Sequence, residues 1–191
     1  MEMKQIAEII KWTKGRQIYQ VSDTLSKAKL ETINKTIEKE WGNKIIGSEN
    51  NGNWTTKLGE GIVRDIFKIK GLNPRRPLTK NGYNPDWETD DAIWEVKTRN
   101  WWTTGTAGEK VLGTMYKYSD IPTIYHKPLK IVCVAYQEYE LTHGNTRIFG
   151  DVSENKKKFL ELAKSMNIEY VRFSDLIQGL DFESDIDKDN K

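Results

Sequence analysis

The chain is poor in the residues that most often mark a site. Its 191 residues hold one cysteine, Cys133, and two histidines, His126 and His143. A lone cysteine excludes a disulfide framework and suits a reducing compartment, and so few Cys and His side chains leave no ligand set for a structural zinc. No apolar run approaches the roughly 18–20 residues that span a bilayer. The longest is Ile131–Tyr136. The opening MEMKQIAEIIKW interleaves charge with apolar side chains and has no small-residue cleavage site, so no secretory leader is expected there. The expectation is a cytoplasmic protein with no membrane contact. Also missing are G-x-x-x-x-G-K-[ST], G-x-G-x-x-G and G-x-S-x-G; the segment GTAGEK at 105–110 has the wrong glycine spacing for a phosphate loop. Chemistry on this chain therefore rests on carboxylates, lysines or a hard metal ion.

What is present suits one folded domain. Hydrophobic residues make up 37% and charged residues 30%, enough for a core beneath a well-solvated surface. The net charge of +2 is unevenly spread. Residues 181–191 (DFESDIDKDNK) hold five acids and two lysines, leaving 28 basic and 23 acidic groups in residues 1–180. A mildly basic body with an acidic tail is compatible with a polyanionic partner. The tail is expected to be disordered.

Periodicity sets out the elements. Ser22-Asp23 suggests a helix cap, followed by Leu25, Leu30, Ile33, Ile37 and Trp41 at helical spacing, with Gly42 as the stop. A second helix is expected from Thr55 to about Lys70, with an apolar stripe of Leu58, Ile62, Val63, Ile66 and Phe67. Tyr83–Trp87 and Ala92 to about Trp101 read as two strands around a polar turn at 88–91. A short helix is expected to run toward Tyr118. Leu129–Glu140 is the most strand-like segment, with Thr146–Phe149 as its pairing candidate. Asp151 and Glu154 suggest a capping box before a helix, and Ile168–Phe173 is a last strand. This order implies an α/β (α+β) domain with a mixed central sheet and helices on both faces. Residues 1–50 form a helical N-terminal extension, 55–180 the core, and 1–180 together a single domain.

The informative stretch is Tyr83–Lys97, YNPDWETDDAIWEVK. Strand side chains alternate, so Trp94 and Val96 turn toward a core while Glu95 and Lys97 share the other face. A hairpin at 88–91 brings Asp86 to that same face. Two close carboxylates stay ionised together only around a cation. With the backbone carbonyl of Val96 they supply the hard oxygen ligands that Mg²⁺ takes. Lys97 then stands where it can position a water and steady developing negative charge. Glu60 lies three and seven residues before Val63 and Phe67, beside the buried stripe, where an unpaired carboxylate is uncommon.

Pro85-Asp86, eight residues, then Glu95-Val96-Lys97 resembles the PD-(D/E)XK nuclease superfamily, which includes type II restriction endonucleases. The resemblance implies a restriction-endonuclease-like core, with Asp86 and Glu95 as metal ligands, Lys97 as catalytic lysine and Glu60 as the acidic residue of the preceding helix. It implies Mg²⁺ as cofactor, with Mn²⁺ able to substitute. Lys110, on the helix after the motif, is the candidate for a further group near the phosphate. The motif covers about 13 residues, and the element order from Thr55 to Phe173 is compatible with the fold.

Further contacts follow from position. Arg99, Trp101, Trp102, Thr103, Thr104 and Thr106 lie just past the catalytic strand, where a duplex would pass, and Arg75 and Arg76 are candidates for phosphate contacts. The expected activity is a site-specific, Mg²⁺-dependent endonuclease acting on double-stranded DNA as a homodimer. The alternatives are a structure-specific or repair nuclease of the same fold, and a non-catalytic, tryptophan-rich binding module. The bland alternative for the motif is an ion pair of Glu95 and Lys97 on a solvated sheet face, with Asp86 a turn residue.

Overall fold

The structure, a computed structural model, describes residues 1–16, 26–49, 52–102 and 107–182. Within them lie helices α1 (Met3–Thr13), α2 (Lys27–Ile45) and α3 (Trp54–Ile69), strands β1 (Trp87–Glu88) and β2 (Ile93–Arg99), and helices α4 (Ala107–Lys117) and α5 (Ile121–Tyr125). Strand β3 (Leu129–Ala135), helices α6 (Tyr136–His143) and α7 (Glu154–Ser165), strand β4 (Ile168–Arg172) and helix α8 (Phe173–Leu176) complete them. No described helix is long and apolar enough to cross a membrane.

The strands form one mixed sheet in the order β1-β2-β3-β4, antiparallel between β1 and β2 and parallel thereafter. The α/β class with helices around a mixed sheet is as the sequence implies. Parallel neighbours need crossover connections, and two same-handed crossovers that step in one direction along a sheet fall on one face. Here α4 and α5 join β2 to β3, and α6 and α7 join β3 to β4. Val111, Ile121, Leu141 and Ala163 from those helices pack with Ile93, Leu129, Ile131 and Cys133 of the sheet. The opposite face is left to the N-terminal helices: Ile6, Ile9 and Trp12 of α1 and Leu58, Ile62 and Phe67 of α3 pack on Trp94, Val96, Val132 and Val134. The alternation of strand side chains thus serves two cores. Residues 1–13 belong to the second of these.

Several boundaries differ from the periodicity. The cap at Ser22-Asp23 lies outside the described residues, and α2 passes through Gly42 to Ile45. Glycine is needed there for contact, because a Cβ on Gly42 would stand 2.0 Å from the Trp54 ring. The segment Leu129–Glu140 is not one strand. It turns at Ala135 (φ 57°, ψ −129°) directly into α6, a left-handed step that an alanine adopts only when its surroundings impose it. Thr146–Phe149 forms no strand; instead Ile148 and Phe149 donate their N–H groups to the Leu141 carbonyl. The cap of α7 is Ser153, and Asp151 takes no part in it. The strand expected at Tyr83–Trp87 shrinks to Trp87–Glu88, with isolated bridges Arg75–Glu88 and Lys80–Tyr83 before it.

Candidate active site

Strand β2 is buried on both faces, and its backbone decides what the site can use. Ile93 donates its N–H to Pro128 on the β3 side, while the Trp94 carbonyl accepts the Asp86 N–H at 3.1 Å on the β1 side. Odd residues of β2 therefore bond toward β3 and even residues toward β1. Strand β1 pairs Trp87 with Trp94 and Glu88 with Ile93, and Asp86, just before it, bonds to that same Trp94 carbonyl and lies within electrostatic reach of Glu95. Beyond that point the ladder stops. The Val96 N–H is taken by Asp86 Oδ2 at 2.7 Å, and the Val96 carbonyl points to the same open edge.

Glu95 lies on the α4 side and is only 4% exposed. Its Oε1 accepts from Lys97 Nζ at 2.6 Å, and its Oε2 is buried with no hydrogen-bond partner. A carboxylate oxygen left this way costs more than most folds tolerate, which makes it a natural place for a cation or a bound water. Tyr118, just after α4, faces Glu95. Burial, the charge of Glu95 and a contact of the hydroxyl with that carboxylate too long to count as a full hydrogen bond push its phenol up to about 12. The phenol is thus a neutral group beside the carboxylate.

Asp86 is mostly covered, and its pKa is raised to about 7. Burial is the main cause, followed by the negative charge of Glu95. The Val96 N–H pulls the other way, Glu60 adds repulsion and Lys97 offsets part of it. Glu95, Glu60 and Lys97 are therefore within electrostatic reach of Asp86, and the acidic charge there is under-compensated. The solvated ion-pair alternative does not describe a Glu95 so deeply buried.

Glu60 comes from the other face. It stands on α3, which approaches β2 so closely that a Cβ on Gly59 would lie 1.7 Å from Thr98 Oγ1. Its backbone carbonyl accepts the Trp87 indole N–H at 3.0 Å, and its Oε2 accepts from Arg76 Nη2 at 2.5 Å. Arg76 also donates to the Asp86 carbonyl at 2.8 Å and lies 4.1 Å over the Trp87 ring. Arg75, one residue earlier in this extended segment, turns the opposite way to Glu88 and Asp90. The two arginines look equivalent in sequence, and strand alternation is the signal that separates them.

The other candidates are scattered. Arg99 is buried, its guanidinium bonded to Glu140 at 2.5 Å and lying over Tyr136, so it does not face a passing duplex. Trp101 is likewise in the core, with its indole N–H donating to the Trp12 carbonyl and its ring edge-on to Tyr136. Trp102 is half-buried with Arg16 stacked on it at 3.5 Å. Lys110 is exposed on α4. Thr103, Thr104 and Thr106 lie outside the described residues. Glu38 on α2, which no motif marks, is a fully buried carboxylate. It accepts from Trp12 Nε1 at 2.8 Å and from the backbone N–H groups of Trp101 and Trp102 at 2.9 and 3.1 Å, fixing the chain as it leaves β2.

Among the described residues no three His, Cys, Asp or Glu side chains gather as a metal cage. Mg²⁺ at a phosphate seldom has one: it keeps several waters and takes one or two carboxylates together with the substrate. Asp86, Glu95 and the Val96 carbonyl fit that smaller donor set, and the orphaned Glu95 Oε2 is the observation that supports the fit. A cleft of about 290 Å³ lined by Trp101, Tyr139, His143 and Arg172 lies elsewhere, at the carboxyl ends of β3 and β4. Comparison with family models, curated proteins and solved structures finds no match to this chain.

Proposed function

We propose that the chain is a Mg²⁺-dependent deoxyribonuclease of the PD-(D/E)XK kind, a site-specific endonuclease that hydrolyses phosphodiester bonds in double-stranded DNA as a homodimer. One observation carries the reading: Asp86, held at the end of β1 by the Val96 N–H, feels the charge of Glu95, whose Oε2 is buried and unpartnered and whose Oε1 is bonded to Lys97. The order of α3, the β1–β2 pair, α4 and β3 supports a restriction-endonuclease-like core, with Glu60 on its leading helix.

Asp86, Glu95 and the Val96 carbonyl would hold the ion, which when bound supplies an activated water and neutralises charge on the phosphate. Asp86 is oriented for this by its bond to Val96, and Glu95 by its bond to Lys97. The Lys97 ammonium, partly open to solvent, donates to the incoming water and to the phosphate oxygen as negative charge builds. The water oxygen bonds to phosphorus as the bond to the leaving sugar oxygen breaks, and the proton lost by the water is returned through solvent to that oxygen. Two active sites related by a two-fold axis would cut both strands.

The test is incubation of purified protein with plasmid DNA and Mg²⁺, with Lys97→Ala as control and sequencing of the ends. Discrete fragments from the wild type, and a loss of several orders of magnitude in the variant, are expected. Inactivity on plasmid with cutting of branched DNA would move the substrate to junctions or repair intermediates. Equal cutting by both proteins would remove this site from the reaction.

A further inference from the structure

Arg76 occupies the position where a cation is most needed. Asp86 Oδ2 is committed to the Val96 N–H, so Oδ1 is the oxygen left for an ion, and Arg76 Nη1 lies 4.0 Å from Oδ1. The same guanidinium is fixed by three other contacts: the Glu60 carboxylate, the Asp86 carbonyl and the Trp87 ring. Trp87 is in turn pinned to α3 through its indole N–H. Arg76 is thus held over the acidic edge by a built platform, yet its side chain is 57% exposed and able to swing outward.

We propose that Arg76 is a resident competitor of the divalent ion: its guanidinium supplies positive charge to Asp86 and Glu60 in the metal-free protein and weakens binding of the metal at Asp86 Oδ1. The inference rests on the nuclease reading and adds a regulatory residue to it. Arginine suits this role because its planar fork spans two acceptors and stacks on an aromatic face at once, while its charge is permanent. Two positive centres a few ångströms apart in a partly desolvated site repel appreciably, so loading the ion requires Arg76 to yield. Arg76 acts here through Asp86 and is a positioning residue.

The test is Mn²⁺ binding without DNA, followed by electron paramagnetic resonance of the free ion. Wild type, Arg76→Gln, Arg76→Met, Arg76→Lys and Asp86→Asn would be compared, each confirmed folded by far-ultraviolet circular dichroism. Removing the charge should tighten Mn²⁺ binding by about tenfold, an order of magnitude set by screened repulsion at this range. Arg76→Lys, which keeps the charge but loses the fork and the stack, should fall between wild type and the neutral variants, and Asp86→Asn should lose the site. A merely structural arginine would leave affinity unchanged or lower it in the Gln and Met variants. That result, with Asp86→Asn still abolishing binding, overturns the role of Arg76 and leaves the metal site standing. Mn²⁺ bound by none of the proteins overturns both, as does binding that survives Asp86→Asn.

Discussion

Asp86 accepts the backbone N–H of Val96 at 2.7 Å, so the first residue of the motif is tied to the strand that carries Glu95 and Lys97. Burial, and then the charge of Glu95, raise the Asp86 pKa in spite of that bond. Between about pH 4 and 7 the unfolded chain loses this proton while the folded one retains it. Metal-free stability should therefore fall as pH rises through that window and level off above it. Asp86→Asn keeps an acceptor for Val96 and removes the charge. In chelator, it should melt several degrees above wild type at pH 8 and at the same temperature near pH 4. A variant less stable at both values would mean that the carboxylate is not strained.

A divalent ion should reverse that dependence. Mg²⁺ or Mn²⁺ favours the ionised pair, so the rise in melting temperature on adding metal should be larger at pH 8 than at pH 5. Equal shifts at both pH values would indicate ions bound elsewhere on the surface.

Glu38 gives a prediction about stability alone. Glu38→Ala would leave the Trp12 indole N–H and the Trp101 N–H without their acceptor in a dry interior and remove the acceptor of the half-buried Trp102 N–H. Each unsatisfied donor costs about 1–3 kcal/mol, so a loss of about 3 kcal/mol or more is expected by urea denaturation. Glu38→Gln retains acceptor oxygen and should recover part of it. A loss below about 1 kcal/mol would show that the loop after β2 is held by other contacts.

Gly59 tests the approach of α3 to the sheet. An alanine there meets Thr98 Oγ1 at 1.7 Å, and relief requires α3 to move away from β2. Gly59→Ala should destabilise by about 1–3 kcal/mol, and the double variant with Thr98→Ala should restore part of the loss. Additive effects in the double variant would exclude that contact as the cause.

The elements that sequence made legible are those governed by local rules. The apolar stripe from Leu58 to Phe67 specifies α3, and the alternation of Trp94, Glu95, Val96 and Lys97 places two charges on one strand face. The turn at 88–91 also lays the chain before it alongside β2, so the approach of Asp86 to that strand is legible in the sequence. What failed depended on tertiary contacts. The switch from strand to helix at Ala135 needs a left-handed alanine that no propensity signals. Gly42 has the composition of a helix stop but serves the Trp54 ring. Arg99 and Trp101 have the character of nucleic-acid contacts, and only Glu140 and Trp12 show why they are buried.

The most direct measurement is anomalous diffraction from crystals of the protein soaked in Mn²⁺. A peak at the open end of β1, bonded to Asp86 Oδ1, a Glu95 oxygen and the Val96 carbonyl, is the expected result. Density absent there, with Glu95 still bonded only to Lys97, would contradict the assignment of this edge as a metal-dependent active site.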